Sequence, residues 1–227
     1  MCGRFTIGEI KDLIPRFSID APIADMPRPR YNLAPTQDAP IVIRNSPNRL
    51  VMMRWGLIPH WAKDPRIGSR MINARAEGVA ERPAFRASLK DRRCLVPTTG
   101  FYEWAADGKV PYLAKLKDEG LFAMAGLYDR WRDPSGGEVL SFTIITTVPN
   151  ALMAPIHGRM PVILSHEDEE VWLGPAPLEG SDMDRIFRPF PAERMEAYPV
   201  SRAVNDLHHD SEDLMRPAPR PDPGKWF

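Results

Sequence analysis

The chain has 227 residues, 43% of them hydrophobic and 26% charged, enough for one sizeable core. Thirty Lys and Arg balance thirty Asp and Glu, and two cysteines in a chain of this length make no disulfide framework. No apolar run reaches the roughly 18 residues that span a bilayer, and Arg4, Glu9, Lys11, Asp12 and Arg16 exclude a secretory signal at the start. A reducing cytoplasm and no membrane are therefore expected. His60, His157, His166, His208 and His209 show no ligand spacing with cysteine, so neither a metal site nor a cofactor is expected. The zero net charge hides an asymmetry: residues 1–110 hold 18 basic and 11 acidic side chains, and residues 111–227 hold 12 and 19. Most of the basic residues in the first half are arginine, the better phosphate ligand because its planar fork serves two oxygens. A locally positive face follows if the halves stay apart, and cancellation follows if they interleave.

The 25 prolines argue against long helices and for short strands joined by turns. In chain order, "GEIKDLIPRF" (8–17) is a short amphipathic helix, and "PIVIR" (40–44) and "RLVMMRWGL" (49–57) are strands. "ERPAFRASLKDR" (81–92) places Phe85 and Leu89 four apart on one helical face. "RCLVPT" (93–98), "GFYEW" (100–104), "VPYLAKL" (110–116), "LFAMAGLYDRW" (121–131), "VLSFTIITTV" (139–148) and "MPVIL" (160–164) are strands, with "DPSGGE" (133–138) as a hairpin connection. "SHEDEEVWLG" (165–174) is a helix capped by Ser165, with Asp168 three residues on and Gly174 as its stop. The expectation is an α+β, strand-rich single domain over 1–207 with a barrel-like, mostly antiparallel β core and peripheral helices. The proline- and charge-rich tail, 208–227, reads as disordered or draped on the surface.

Several residues could carry chemistry. Cys2 follows Met1 directly, and a small second residue permits removal of the initiator methionine. A terminal Cys2 would carry an amine with a reference pKa near 8 beside a thiol near 8.5. The amine can form a Schiff base with an aldehyde, and the sulfur can then close a thiazolidine ring; the alternative is an incidental cysteine. Trp61, in "WGLIPHW", could stack on nucleobases or serve in core or turn contacts. Asn73 and Arg75, in "MINARAE", share a face of an extended segment with Glu77, as an anion site or as a polar surface with an Arg75–Glu77 pair. Cys94 reads as a buried apolar residue. Glu103 shares its strand face with Phe101, where partial desolvation would raise its pKa; the alternative is a structural partner of an arginine. His157 stands at an element junction beside Gly158 and Arg159, placed either for proton transfer or simply in solvent.

Taken in order, "MCGRF" (1–5), "RYNLAPTQ" (30–37), "WGLIPHW" (55–61), "INARAE" (72–77), "RCLVPTTGFYEW" (93–104), "HGRMPVIL" (157–164) and "PVSRAVN" (199–205) resemble the SOS-response-associated peptidase (SRAP) family. The resemblance spans about residues 1–207. It implies a protein that recognises abasic sites in single-stranded DNA and couples to them through a thiazolidine at its terminal cysteine. On that resemblance Cys2 is the nucleophile and Asn73 orients the terminal residue and the opened sugar. Glu103 assists proton transfer, and His157 promotes ring opening. Arg4 and Arg75 resemble phosphate ligands, and Trp61, Pro35, Thr147 and Arg159 resemble parts of the DNA-facing surface. Gly158 departs from the larger polar or acidic residue that often follows the family histidine. The implied partner is single-stranded DNA carrying abasic sites, met by a cytoplasmic monomer that joins the nucleoid when bound. Two other functions fit the same residues. One is an amidase or peptidase using Cys2 as an N-terminal nucleophile, with self-removal of Met1 as one substrate. The other is a non-covalent reader of modified bases.

Overall fold

In a computed structural model, residues 2–8, 10–20, 26–105, 110–118, 120–133 and 135–218 are described. Parts of the expected helix over 8–17, of the 133–138 connection and of the tail beyond 218 lie outside them. Among these residues twelve strands form: β1 (Arg4–Ile7), β2 (Arg30–Leu33), β3 (Asp38–Ile43), β4 (Arg49–Trp55), β5 (Asn73–Arg75), β6 (Arg93–Thr98), β7 (Gly100–Trp104), β8 (Pro111–Leu116), β9 (Phe122–Arg132), β10 (Glu138–Thr147), β11 (Met160–Pro161) and β12 (Met195–Pro199). The helices are short: α1 (Leu13–Phe17), α2 (Arg86–Asp91), α3 (His166–Leu173) and α4 (Gly180–Ile186). Ser165 caps α3 by accepting the Asp168 amide, which satisfies one of the orphan donors of a helix start.

Strands β4, β3, β6, β9 and β10 pair in that order, and β10 pairs again with β4, so the ring closes. Closure removes the free edges that an open sheet would expose. Four of the five seams are antiparallel and β4–β10 is parallel, so the barrel-like, mostly antiparallel core is as expected. A second sheet, β12-β8-β7-β1-β2, is antiparallel throughout. The chain passes from barrel to sheet at Thr99, where the Thr98 hydroxyl and the Thr99 amide both donate to Thr6 C=O, at 3.0 and 2.8 Å.

Period-2 alternation gives the second sheet two apolar faces. Phe5, Ile7 and Phe101 join the main core against the barrel, where Phe5 meets the Trp55 ring edge-on at 5.0 Å. On the other face Tyr102 and Leu113 form a smaller cluster with Val200, Val204 and Leu214. Residues 208–218 reach back over this face: Leu214 is fully buried and Pro217 bridges Val200.

One excursion from the barrel matters for function. Strand β4 leaves β10 after Trp55 pairs with Phe142, and β5 rejoins the same edge of β10 with Asn73 opposite Ile144. Residues 56–72 loop out between these points. The neck is closed by backbone contact: Gly56 has φ +122°, and a Cβ there would lie 2.5 Å from Gly68 O, so glycine is required. The loop is tied to the barrel wall by His60, whose backbone N–H and ring Nδ1 lie 2.9 and 3.0 Å from Asp129 Oδ2, and by Trp131 Nε1–H donating to Ala62 O at 2.7 Å.

Candidate functional site

Cys2 enters the fold immediately before β1, which lies between β2 and β7. Arg4 pairs with Tyr102, so the antiparallel register carries the start of the chain toward Glu103. From the other side, Asn73 at the first position of β5 donates from Nδ2 to Cys2 C=O at 2.9 Å. Its Oδ1 is buried and accepts no hydrogen bond from any described residue. Residues 71 apart thus meet because one strand of the second sheet starts beside the strand that closes the excursion.

Electrostatics distinguish the groups. Glu103 is 2% exposed, and burial pushes its carboxyl up to about 7, since low dielectric disfavours the charged form. Cys2 is fully buried, and burial pushes its thiol well above the ordinary range, with the nearby Glu103 acting in the same direction. The sulfur is therefore held as the thiol, whereas a free terminal cysteine would carry appreciable thiolate near neutrality. His157 follows the 151–156 turn, and burial lowers its pKa, so the neutral ring is favoured. Its Nδ1 lies 3.0 Å from the Arg159 amide and 3.2 Å from the Arg159 carbonyl; where Nδ1 accepts from the amide, the ring proton stands on Nε2.

The arginines differ in their commitments. Arg75 is exposed and forms no ion pair among the described residues. Arg159 is held by Glu77 in a bidentate pair at 2.5 and 2.9 Å and by Thr146 C=O at 2.5 Å. Glu77 therefore pairs with Arg159, rather than with Arg75 as in the alternative considered from sequence. Arg4 turns Nη1 inward, to Asn32 Oδ1 at 2.6 Å and Val204 C=O at 2.7 Å. Trp61, on the excursion, is 51% exposed. Pro35 is half-buried in the turn after β2, where the Thr36 amide donates to Trp55 C=O at 2.8 Å, beside the root of the excursion. Thr147 is buried, and its hydroxyl donates to Phe187 C=O at 2.6 Å, so that side chain presents no free hydroxyl to a ligand. Cys94 is fully buried in the core.

Cys2, Asn73 and Glu103 thus gather at one place, with Arg4 on the strand that follows Cys2 and Arg75 on the strand of Asn73. Trp61 lies on the excursion that ends at Asn73, and its neighbours His60 and Ala62 are tied to the barrel wall. Glu77 was passed over as a partner of Arg159 because 82 residues separate them; only the two strands flanking the end of β10, Arg75 and Pro161 both opposite Thr146, bring them together. No group of three metal-ligating side chains occurs among the described residues, and no described helix is long and apolar enough to cross a membrane.

The chain is 47% identical over 221 residues to the abasic site processing protein YoqW of Bacillus subtilis, covering 95% of this chain and 99% of that protein. It is 32% identical over 227 residues to the abasic site processing protein HMCES of Xenopus tropicalis, covering 85% of this chain and 67% of that one. A crystal structure of a protein from Bacteroides thetaiotaomicron superposes with a TM-score of 0.85 at 31% identity, over 96% of this chain and 100% of that one. A family model described as SOS response associated peptidase matches residues 1–207. The chain belongs to the SOS response associated peptidase (SRAP) family.

Proposed function

We propose that this chain processes abasic sites in single-stranded DNA by capturing the lesion covalently at Cys2. The observation that carries the proposal is the Asn73 hydrogen bond to Cys2 C=O beside the buried Glu103 carboxyl. The names of YoqW and HMCES as abasic site processing proteins support the substrate. With Met1 removed, the Cys2 amine is a nucleophile of reference pKa near 8.

An abasic deoxyribose equilibrates between a cyclic hemiacetal and an open aldehyde. Neutral His157 donates from Nε2–H to the ring oxygen as the ring opens, while Glu103, poised at about 7, takes the proton of the C1′ hydroxyl. The Cys2 amine then adds to the C1′ aldehyde, and the carbinolamine loses one water to give the imine. The buried thiol adds across the C=N bond: an S–C bond forms and the thiol proton passes to nitrogen, closing a thiazolidine. The net change is loss of one water, with no oxidation. Holding the amine and aldehyde together raises their effective concentration, and Asn73 fixes the terminal residue for that encounter. The amidase alternative needs thiolate to attack an amide carbonyl, and burial of Cys2 works against it. The DNA substrate makes the working location cytoplasmic and nucleoid-bound.

The test is incubation with single-stranded DNA carrying one abasic site, followed by a denaturing gel and intact mass. We expect a heat-stable shifted band whose mass is the sum of protein lacking Met1 and DNA less one water. Cys2→Ala abolishes it. A wild-type protein of confirmed processed mass that gives no band, or one that turns over peptide substrates instead, overturns the proposal.

A further inference from the structure

Arg4 is a half-buried cation whose described partners are neutral. Its hydrogen bonds to described residues both leave from Nη1, one to Asn32 Oδ1 and one to Val204 C=O, and it forms no ion pair among the described residues. Burial lowers its pKa, as expected where no carboxylate offsets the loss of water. Two hydrogen bonds saturate the two N–H groups of Nη1. The edge formed by Nε and Nη2 makes no hydrogen bond to a described residue and retains the geometry that suits a phosphate.

Asn32 is the hub behind that arrangement. It is fully buried on β2. While Oδ1 faces Arg4, Nδ2 lies 3.2, 2.9 and 2.8 Å from the carbonyls of Val204, Asp206 and His209. The orientation of the amide follows from its partners, because a flipped group would set NH2 against a guanidinium and an oxygen against three carbonyls. The Asn32 backbone N–H donates to Asp210 Oδ1 at 2.9 Å, the Tyr31 N–H donates to the same oxygen at 2.5 Å, and Asp210 Oδ2 pairs with Arg30. Three stretches far apart in sequence, around Arg4, Asn32 and 204–210, therefore form one polar network on the face of the second sheet away from the barrel.

We infer that Asn32 is a positioning residue for DNA: by saturating Nη1 of Arg4 it aims the Nε–Nη2 edge at a backbone phosphate, and residues 204–210 hold Asn32 in place. The inference rests on the proposal that the chain binds abasic single-stranded DNA. A neutral amide suits the task. An aspartate at 32 would neutralise the guanidinium that has to meet the phosphate, and an alanine would free it to swing.

The test is equilibrium binding to single-stranded DNA carrying a tetrahydrofuran abasic analogue, which lacks the aldehyde and cannot crosslink, measured across a range of salt. Arg4→Ala, Asn32→Ala and the double variant are compared. Loss of one charge-assisted contact corresponds to about tenfold in affinity, and one fewer phosphate contact lowers the slope of log K against log salt by about 0.7 for a single strand. We expect both changes in each single variant, and we expect the double variant to match Arg4→Ala within about twofold, since coupled residues are not additive. A residue that served only folding would not change the salt slope. Full additivity, or an Asn32→Ala salt slope equal to wild type, overturns the inference while leaving the proposed function standing. Arg4→Ala with unchanged affinity and slope overturns the role of Arg4 and the inference with it. Should Asn32→Ala not fold, Asp210→Asn carries the test. It is expected to weaken binding in the wild-type background and to have no effect in the Arg4→Ala background; equal effects in both overturn the inference.

Discussion

Burial of Glu103 should be measurable as a cost to the fold. Its carboxyl is raised from an ordinary 4.5 to about 7, and that gap corresponds to about 3 kcal/mol. The folded state keeps the proton to higher pH than the unfolded chain does. The contribution of this group is therefore intact below pH 4.5, falls as the pH rises and is fully lost above about pH 7. Glu103→Gln, neutral at every pH, is expected to be more stable than wild type by about 3 kcal/mol at pH 8 and by under about 1 kcal/mol at pH 5. Urea unfolding at the two pH values checks this. The same variant should form the abasic-site crosslink about 10²-fold more slowly, because a positioned acid/base is gone. A gain in stability joined to a loss of rate marks a residue kept for function. Gly158 is neutral by contrast: a Cβ there would meet nothing within 4 Å, and His157 takes its hydrogen bond from the Arg159 main chain, so the residue after the histidine need not supply one. At this scale the raised carboxyl of Glu103 could be read from residue type and strand alternation, whereas the contact of Asn73 with Cys2 was implied only by the family resemblance. The pairing of Arg159 with Glu77 and the burial of Thr147 could not, since both depend on how β5, β11 and residue 187 meet the end of β10.

The long alternating strands were legible because period 2 shows clearly over five or more residues; β3, β4 and β6 to β10 all lie where alternation or apolar runs put them. Shorter elements were not. Strands β1, β2 and β12 carry charged or polar residues toward the outer face of the second sheet, where residues 199–218 cover them, so neither pattern nor length announces a strand. Helix α4 begins on a glycine and has a single buried residue, Ile186, too little apolar surface to give a helical period. The most consequential element is the excursion over 56–72, whose boundaries are set by backbone contact rather than by side-chain pattern. Gly56→Ala places a Cβ 2.5 Å from Gly68 O at φ +122°, and such strain costs about 2–3 kcal/mol. The neck should open, and because β5 begins where the excursion ends, Asn73 should lose its register on Cys2. We expect a lower urea midpoint and slower crosslinking together, whereas removal of an exposed side chain of the loop, as in Trp61→Ala, should leave the stability within about 0.5 kcal/mol of wild type.

Over the whole molecule, the basic first half and the acidic second half interleave. Strand β10 of the acidic half is flanked by β4 and β5 of the basic half. Arg16–Glu169, Arg30–Asp210, Arg92–Asp129 and Arg159–Glu77 are all ion pairs between the halves. These pairs cancel only part of the local surplus, and DNA attraction has to come from guanidiniums without a carboxylate partner among the described residues, with Arg4 and Arg75 beside the site. The slope of log K against log salt then counts the phosphates that these guanidiniums neutralise. Glu77 tunes that number. Its carboxylate is held below the ordinary range mainly by Arg159, so it is charged throughout the neutral range and keeps Arg159 neutralised. Glu77→Gln removes the negative charge and releases one guanidinium, while the Arg159 contact with Thr146 C=O remains. We expect tighter binding to single-stranded DNA carrying the tetrahydrofuran analogue, with the slope of log K against log salt steeper by about 0.7 and the gain fading as salt rises. Fluorescence anisotropy at several salt concentrations measures both quantities. Unchanged affinity at low salt would mean that Arg159 lies away from the strand and that the pair with Glu77 serves the fold alone.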